Sequence, residues 1–276
     1  MPIGFRRAAV SLAVVVCGAA ANAQDPVLLR LHPHVGDTLH TLLEQQTDVS
    51  DVTPGSPTSP ARAMTSTVVI FSETIVRAVS ARGTTVLTIV DSAKMSSTDP
   101  HAAQQIFAAQ RALEGQHMTL ELGADGSVES ARDARGVLVT RDVAAAMSAM
   151  PAVFPRQPVR VGDQWTREMP LPPSAPGARS SARARAVFRL DSLQKDGSTA
   201  YVSMHGDIAT DSTGTSAPLS GSIAGTLKLD RVRGWMTESR FLIMLKSLVT
   251  PPAGSGFAPM HVFTRVQQHM RTMDKH

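Results

Sequence analysis

Cysteine is all but missing: 276 residues hold one, Cys17, and it falls inside an N-terminal stretch that reads as an export signal. Arg6-Arg7 form the basic start, Ala8 to Gly18 is apolar, and Ala21-Asn22-Ala23 is a small-x-small cleavage site that leaves Gln24 first. Cleavage after Ala23 leaves no thiol, which excludes a disulfide framework, a thiol nucleophile, a redox dithiol and a cysteine zinc site. A chain of this size buries enough surface to be stable without such staples. The apolar run is shorter than the ~20 residues that cross a bilayer. The expectation is therefore an exported protein, periplasmic or extracellular, with no transmembrane segment in the mature chain. A lipidated Cys17 is disfavoured by the bulky Val14-Val15-Val16 before it, and the residues around the Arg pair suit a twin-Arg signal poorly.

Aromatic residues are scarce too, at 4% of the chain. Removing Arg6 and Arg7 with the signal leaves 25 of the 27 basic residues against 23 acidic ones. Nucleic-acid binding needs a concentrated basic face, often with stacking aromatics, and neither is present. The same shortage argues against a sugar-stacking cleft between paired carboxylates. No Gly-x-Ser-x-Gly elbow occurs, and Gly254-Ser255-Gly256 reads as a loop.

What the chain has in abundance is period-two alternation. Strands are expected at Val27–Leu31, Thr38–Val49, Met64–Val79, Thr84–Met95, His117–Leu122 and Val128–Ala131, then repeatedly to about Thr272. Two short helices are expected, His101–Leu113 and about Thr140–Met150, the second stopped by Pro151. Gly-Asp turns punctuate the pattern at Val35-Gly36-Asp37 and Val159-Arg160-Val161-Gly162-Asp163-Gln164-Trp165. In each, Asp can bond its own backbone two residues on, and a large apolar residue two positions later, Leu39 or Trp165, can plug the sheet beneath. Gly36 and Gly162 lie 126 positions apart, which suggests two loose pseudo-repeats, 27–131 and 159–272, within one β-rich domain, 24–276. The fold class is mainly β: roughly 10–12 antiparallel strands in one curved sheet, with the two helices capping its concave face.

These turns, with Gly221-Ser222-Ile223-Ala224-Gly225-Thr226-Leu227-Lys228-Leu229-Asp230 and Gly234-Trp235, resemble a family of exported bacterial proteins of unknown function. Those proteins are similar in turn to the half-barrel of the LolA/LolB-type lipoprotein carriers. The resemblance implies a strongly curved antiparallel sheet around an apolar cavity closed by helices. It implies no catalytic residue.

Candidate lining for an apolar groove is Met95, Ile106, Phe107, Val143, Met147, Met150, Met204, Gly221, Ile223, Gly225 and Phe241, where flexible methionine and missing side chains leave apolar room. Core filling is the plainer use of the same methionines. His32, His34 and His40, and Met260-His261 with His269-Met270, invite a soft metal site. Along a strand, however, His261 and His269 share one face while Met260 and Met270 take the other, so no metal and no cofactor is expected. The leading expectation is a non-enzymatic protein that binds a lipid or a lipoprotein acyl chain. The alternatives are an envelope scaffold with a solid core that binds a protein partner, and a hydrolase without a recognisable motif.

Overall fold

From Thr38 onward the alternation among the described residues folds as strands. A computed structural model describes residues 25–52, 63–138, 153–170, 182–210, 219–249 and 259–273. Eleven strands form one antiparallel sheet: β1 Thr38–Val52, β2 Ala63–Ser80, β3 Gly83–Ser97, β4 His117–Leu122, β5 Val128–Asp133, β6 Gln164–Pro170, β7 Ala182–Leu193, β8 Thr199–Thr210, β9 Leu219–Asp230, β10 Trp235–Val249 and β11 Met260–Met273. Across the sheet their order is β5-β4-β3-β2-β1-β11-β10-β9-β8-β7-β6. Every strand therefore neighbours its sequence neighbours, and the first pairs with the last. The one exception is β5 with β6, which form the two free edges.

Parity explains that gap. Each neighbouring pair is antiparallel, and the number of strands is odd, so β5 and β6 run in the same direction. A hairpin cannot join parallel strands, and the chain returns between them through 134–163 instead. The strand directions also sort the connections. Tight turns at Ser80–Gly83, around Gly126, around Gly197 and at Asp230–Trp235 lie at one rim, and the longer connections lie at the other.

The Val-Gly-Asp turns match bond for bond at the tight-turn rim. Gly36 and Gly162 take φ of 91° and 95°, a left-handed conformation that costs other residues energy. Each Asp accepts from a backbone N–H three residues back (His34 to Asp37 and Arg160 to Asp163, both 2.8 Å). The bond runs backward, not two residues on as expected, because the following residue is already pairing in a strand. The Gly N–H groups then donate to Val76 and to Leu190 of the next strand, at 2.9 and 2.7 Å.

The core sits at this same rim. Leu29, Leu31, Val153 and Phe154, from irregular chain, are fully or nearly fully buried among Leu122, Phe188, Leu190, Leu229 and Met236 of the sheet. Residues 27–31 are thus not the strand that their sequence suggests. They make one bridge, Val27 to Val159, and cross the rim as a plug. Leu31 N–H donates to Ala124 in the β4–β5 turn, and His32 N–H to Gly234 in the β9–β10 turn (2.8 and 2.9 Å).

Among the described residues there is one α-helix, α1 Ala103–Leu113, entered through a 3-10 turn at Pro100–Ala102 that Asp99 caps. It lies along β3 near one edge of the sheet, and none of its residues is buried. The second expected helix, 140–150, lies outside the described residues, as does the segment read as an export signal.

Candidate functional site

Register fixes what each face of the sheet carries. One inward row runs Trp165–Phe188–Met204–Gly225–Phe241–Gln268–Gln45–Val68–Met95 through β6, β7, β8, β9, β10, β11, β1, β2 and β3. The next row further from the tight turns includes Ile223, Ile243, Val266 and Thr47. Near the plug these side chains are buried: Met204, Ile223 and Phe241 expose 3%, 7% and 7%. Toward the long-loop rim Val68, Ile243, Leu245 and Val266 are only half-buried. The wall there is apolar and accessible, interrupted by the amides of Gln45 and Gln268, which stand opposite each other on β1 and β11. Gln45 Nε2 donates to Thr47 Oγ1 at 3.3 Å.

Of the groove candidates, then, Met95, Met204, Ile223, Gly225 and Phe241 share this wall, with Gly221 one row beyond. The glycines do not leave room for a guest. A Cβ on Gly225 would collide with the Arg240 carbonyl and the Phe241 ring, and one on Gly221 with the Met244 carbonyl and Leu245. Their bareness lets neighbouring strands and side chains close in. Ile106 and Phe107 lie on α1, which packs along β3, the strand that carries Met95; Ile106 is half-buried and Phe107 is 60% exposed. Val143, Met147 and Met150 lie outside the described residues. The turn residues behave as structure: Trp165 stacks on Phe188 with centroids 5.8 Å apart, and Trp235 is buried beside Gly234, whose φ is 62°.

The two free edges touch at the tight-turn rim, which the sequence did not reveal. Arg167 of β6 forms an ion pair with Asp125 of the β4–β5 turn at 3.1 Å and also donates to the Phe154 carbonyl. Val153 and Phe154 N–H groups both donate to the Asp125 carbonyl at 3.0 Å, and Trp165 Nε1 donates to the Val153 carbonyl at 2.6 Å. Burial alone would raise the Asp125 carboxyl pKa. The hydrogen bonds from Ser127 and the charges of Arg167 and Arg156 outweigh it and hold the carboxyl below its ordinary value. A pairing of residues 42 positions apart leaves no local signal.

The outward face carries charge. Arg183, Arg185 and Arg189 line β7, and Glu238 of β10 gathers Lys228, Arg240 (2.8 Å) and His269 (3.2 Å). The Lys228 ammonium foremost, working against burial and helped by His269 and Arg240, lowers the Glu238 pKa. His269 also lies 3.6 Å from Glu44. Among the described residues no group of three His, Cys, Asp or Glu could hold a metal ion.

Residues 139–236 match the model of a family of unknown function (DUF6263). That is less than half the chain. No curated protein matches the chain significantly. Among solved structures, an outer membrane channel from Pseudomonas putida F1 is similar at 13% identity and a TM-score of 0.25, over 90% of this chain and 99% of that one. Outer membrane protein AlkL in DMPC lipid bilayers follows at 10% and 0.16, over 88% and 93%. The P. putida toluene transporter TodX gives 8% and 0.18, over 87% and 91%. None of these three is a lipoprotein carrier of the type that the turn motifs resemble, and scores this low carry no argument for fold or function. The outward face mixes the arginines of β7 and the Glu238 cluster with exposed Phe71, Tyr201, Met244 and Phe263. No helix among the described residues is long and apolar enough to cross a membrane.

Proposed function

We propose that the protein is an exported, non-enzymatic binding protein whose sheet curls into a cup, plugged at the tight-turn rim and open at the other, and that the open part of the inner wall takes a lipophilic molecule. The carrying observation is the half-buried inward side of Val68, Ile243, Leu245 and Val266, of which Ile243 and Leu245 pack against the edge of the buried core. Apolar surface left accessible on the inward side of a sheet, while charge covers the outward side, is how concave ligand sites are built.

Curling is supported by lengths. Neighbouring strands lie about 4.8 Å apart, so in a flat sheet β6 would stand roughly 45 Å from the β4–β5 turn. The Arg167–Asp125 contact at 3.1 Å, and the adjacent residues Leu31 and His32 reaching Ala124 and Gly234, both require a bend. Glycines at 206, 221 and 225, where a Cβ would strike the next strand, and bulges at Phe71/Ser72, Leu190/Ser192 and Met236/Glu238 are the usual means of bending a sheet. Gln45 and Gln268 offer hydrogen bonds to a polar group on the guest. The non-enzymatic reading is supported by the inner wall itself, whose half-buried stretch is lined by aliphatic side chains, amides and hydroxyls. An envelope location is supported by the N-terminal stretch that reads as an export signal.

The test is native mass spectrometry of the protein from membranes, joined to titration with the neutral fluorophore N-phenyl-1-naphthylamine. The wild type should carry lipid-sized adducts and enhance the fluorescence. Ile243→Glu, which puts a charge on the half-buried wall at the edge of the core, should lose both while keeping its circular dichroism. No adduct and no enhancement from the wild type would reject the proposal.

A further inference from the structure

The outward face of β10 and β11 breaks its own polarity. Met244 is 53% exposed and Phe263 39%, on a surface where alternation should place polar groups. Register sets Met244 opposite Arg265 and Phe263 opposite Lys246, so cations and apolar side chains alternate in a checkerboard. Lys246 Nζ lies 5.7 Å from the centroid of the Phe263 ring. Small residues flank the four: Ser222 and Ser220 on β9 stand opposite Met244 and Lys246, and Ser50 on β1 opposite Phe263. The result is a groove of about 430 Å³. Arg265 also lines the adjoining trough of about 820 Å³, which runs past Leu242 toward Arg240 and His269. Asp48, the acid facing Arg265 across the ladder, already accepts from Gln46 at 3.0 Å and Thr65 at 2.8 Å.

We propose that this groove binds a single anionic amphiphile, its phosphate or carboxylate held between Lys246 and Arg265 and its alkyl chain laid along Met244 and Leu242 into the trough. Two cations supply the charge complement, and the serine hydroxyls can donate to remaining anionic oxygens. The exposed methionine is flexible enough to follow a chain of varied shape. Met244, Lys246, Phe263 and Arg265 have the opposite strand parity to the inner row, although the trough is bordered by Gln45, Phe241 and Gln268 of that row as well.

Isothermal titration of the full chain with decyl phosphate, below its micelle concentration, tests the proposal. Saturable one-to-one binding is expected, with affinity falling roughly tenfold in the double variant Lys246→Gln/Arg265→Gln and also falling in Met244→Ser. Ile243→Glu should bind decyl phosphate as the wild type does, which separates this site from the inner wall. Decyl phosphocholine and inorganic phosphate should each bind at least tenfold more weakly than decyl phosphate. Equal binding by the double variant, or by inorganic phosphate, would overturn the proposal. So would binding to anionic vesicles without any binding of the monomer, because the patch would then be a docking face for a membrane.

Discussion

Asp125→Asn deletes one negative charge where the free edges of the sheet meet, and leaves the Arg167 guanidinium beside an amide. Breaking a buried ion pair costs about 3–5 kcal/mol. Here the Arg167 and Asp125 side chains are 17% and 21% exposed, so solvent moderates the loss, and about 1–3 kcal/mol is expected at pH 7. The folded carboxyl titrates below its ordinary value, so its stabilisation is complete above the unfolded pKa of about 3.9 and is lost as the pH falls through the lowered one. Wild type and variant should therefore differ in urea at pH 7 and converge in strong acid. The Val153 and Phe154 amides, bonded to the Asp125 carbonyl, supply a local reading: hydrogen exchange there should quicken in the variant more than at Val76, inside β2. An unchanged urea midpoint at pH 7 together with unchanged exchange at 153–154 would refute the idea that this pair latches the edges.

Other consequences are smaller. Gly225→Ala should cost about 1–3 kcal/mol in a urea melt, since the new methyl meets the Arg240 carbonyl and the Phe241 ring; a neutral result would mean that β9 and β10 are not drawn so close. Ser239 is fully buried on the inward side with no hydrogen-bond partner for its hydroxyl. Ser239→Ala should thus raise stability by about 1 kcal/mol, and a loss on thermal unfolding would count against that environment. Glu238→Gln should lower stability by no more than about 1 kcal/mol at neutral pH, because its partners are partly solvated. That difference should fade as the pH drops below about 4.3, the ordinary glutamate value, as the lowered pKa of Glu238 requires.

The strands were legible because alternation is a local signal. Ala182, Ala184, Ala186, Phe188 and Leu190 against Arg183, Arg185 and Arg189 state both the strand and its buried face. Turn chemistry was legible for the same reason, and Gly36 and Gly162 adopt the positive φ that their sequence neighbourhood demands. What crosses the chain was not. Pairing of β1 with β11 depends on the whole count of strands, and the Arg167–Asp125 contact depends on the bend that follows. Val27–Leu31 is apolar enough for a strand, but the rim it seals has a greater claim on Leu29 and Leu31 than any ladder has. For the site, spacing correctly put Met204, Ile223 and Phe241 inward. It could not say that Phe241 would fill the space above Gly225, nor that α1 would leave Phe107 in water. The Met244–Phe263 patch carried a signal, an apolar residue on each of two charged faces, that alternation alone treats as noise.

Curling of the sheet is the claim on which the inner wall depends, and a distance settles it. Nitroxide labels on Ala124→Cys and Thr166→Cys, both exposed positions, in a chain with Cys17 replaced by Ser, can be measured by double electron–electron resonance. A curled sheet predicts a narrow distribution below about 25 Å, whereas a sheet with its edges apart predicts about 45 Å from the strand spacing alone, and that longer value would contradict the cup.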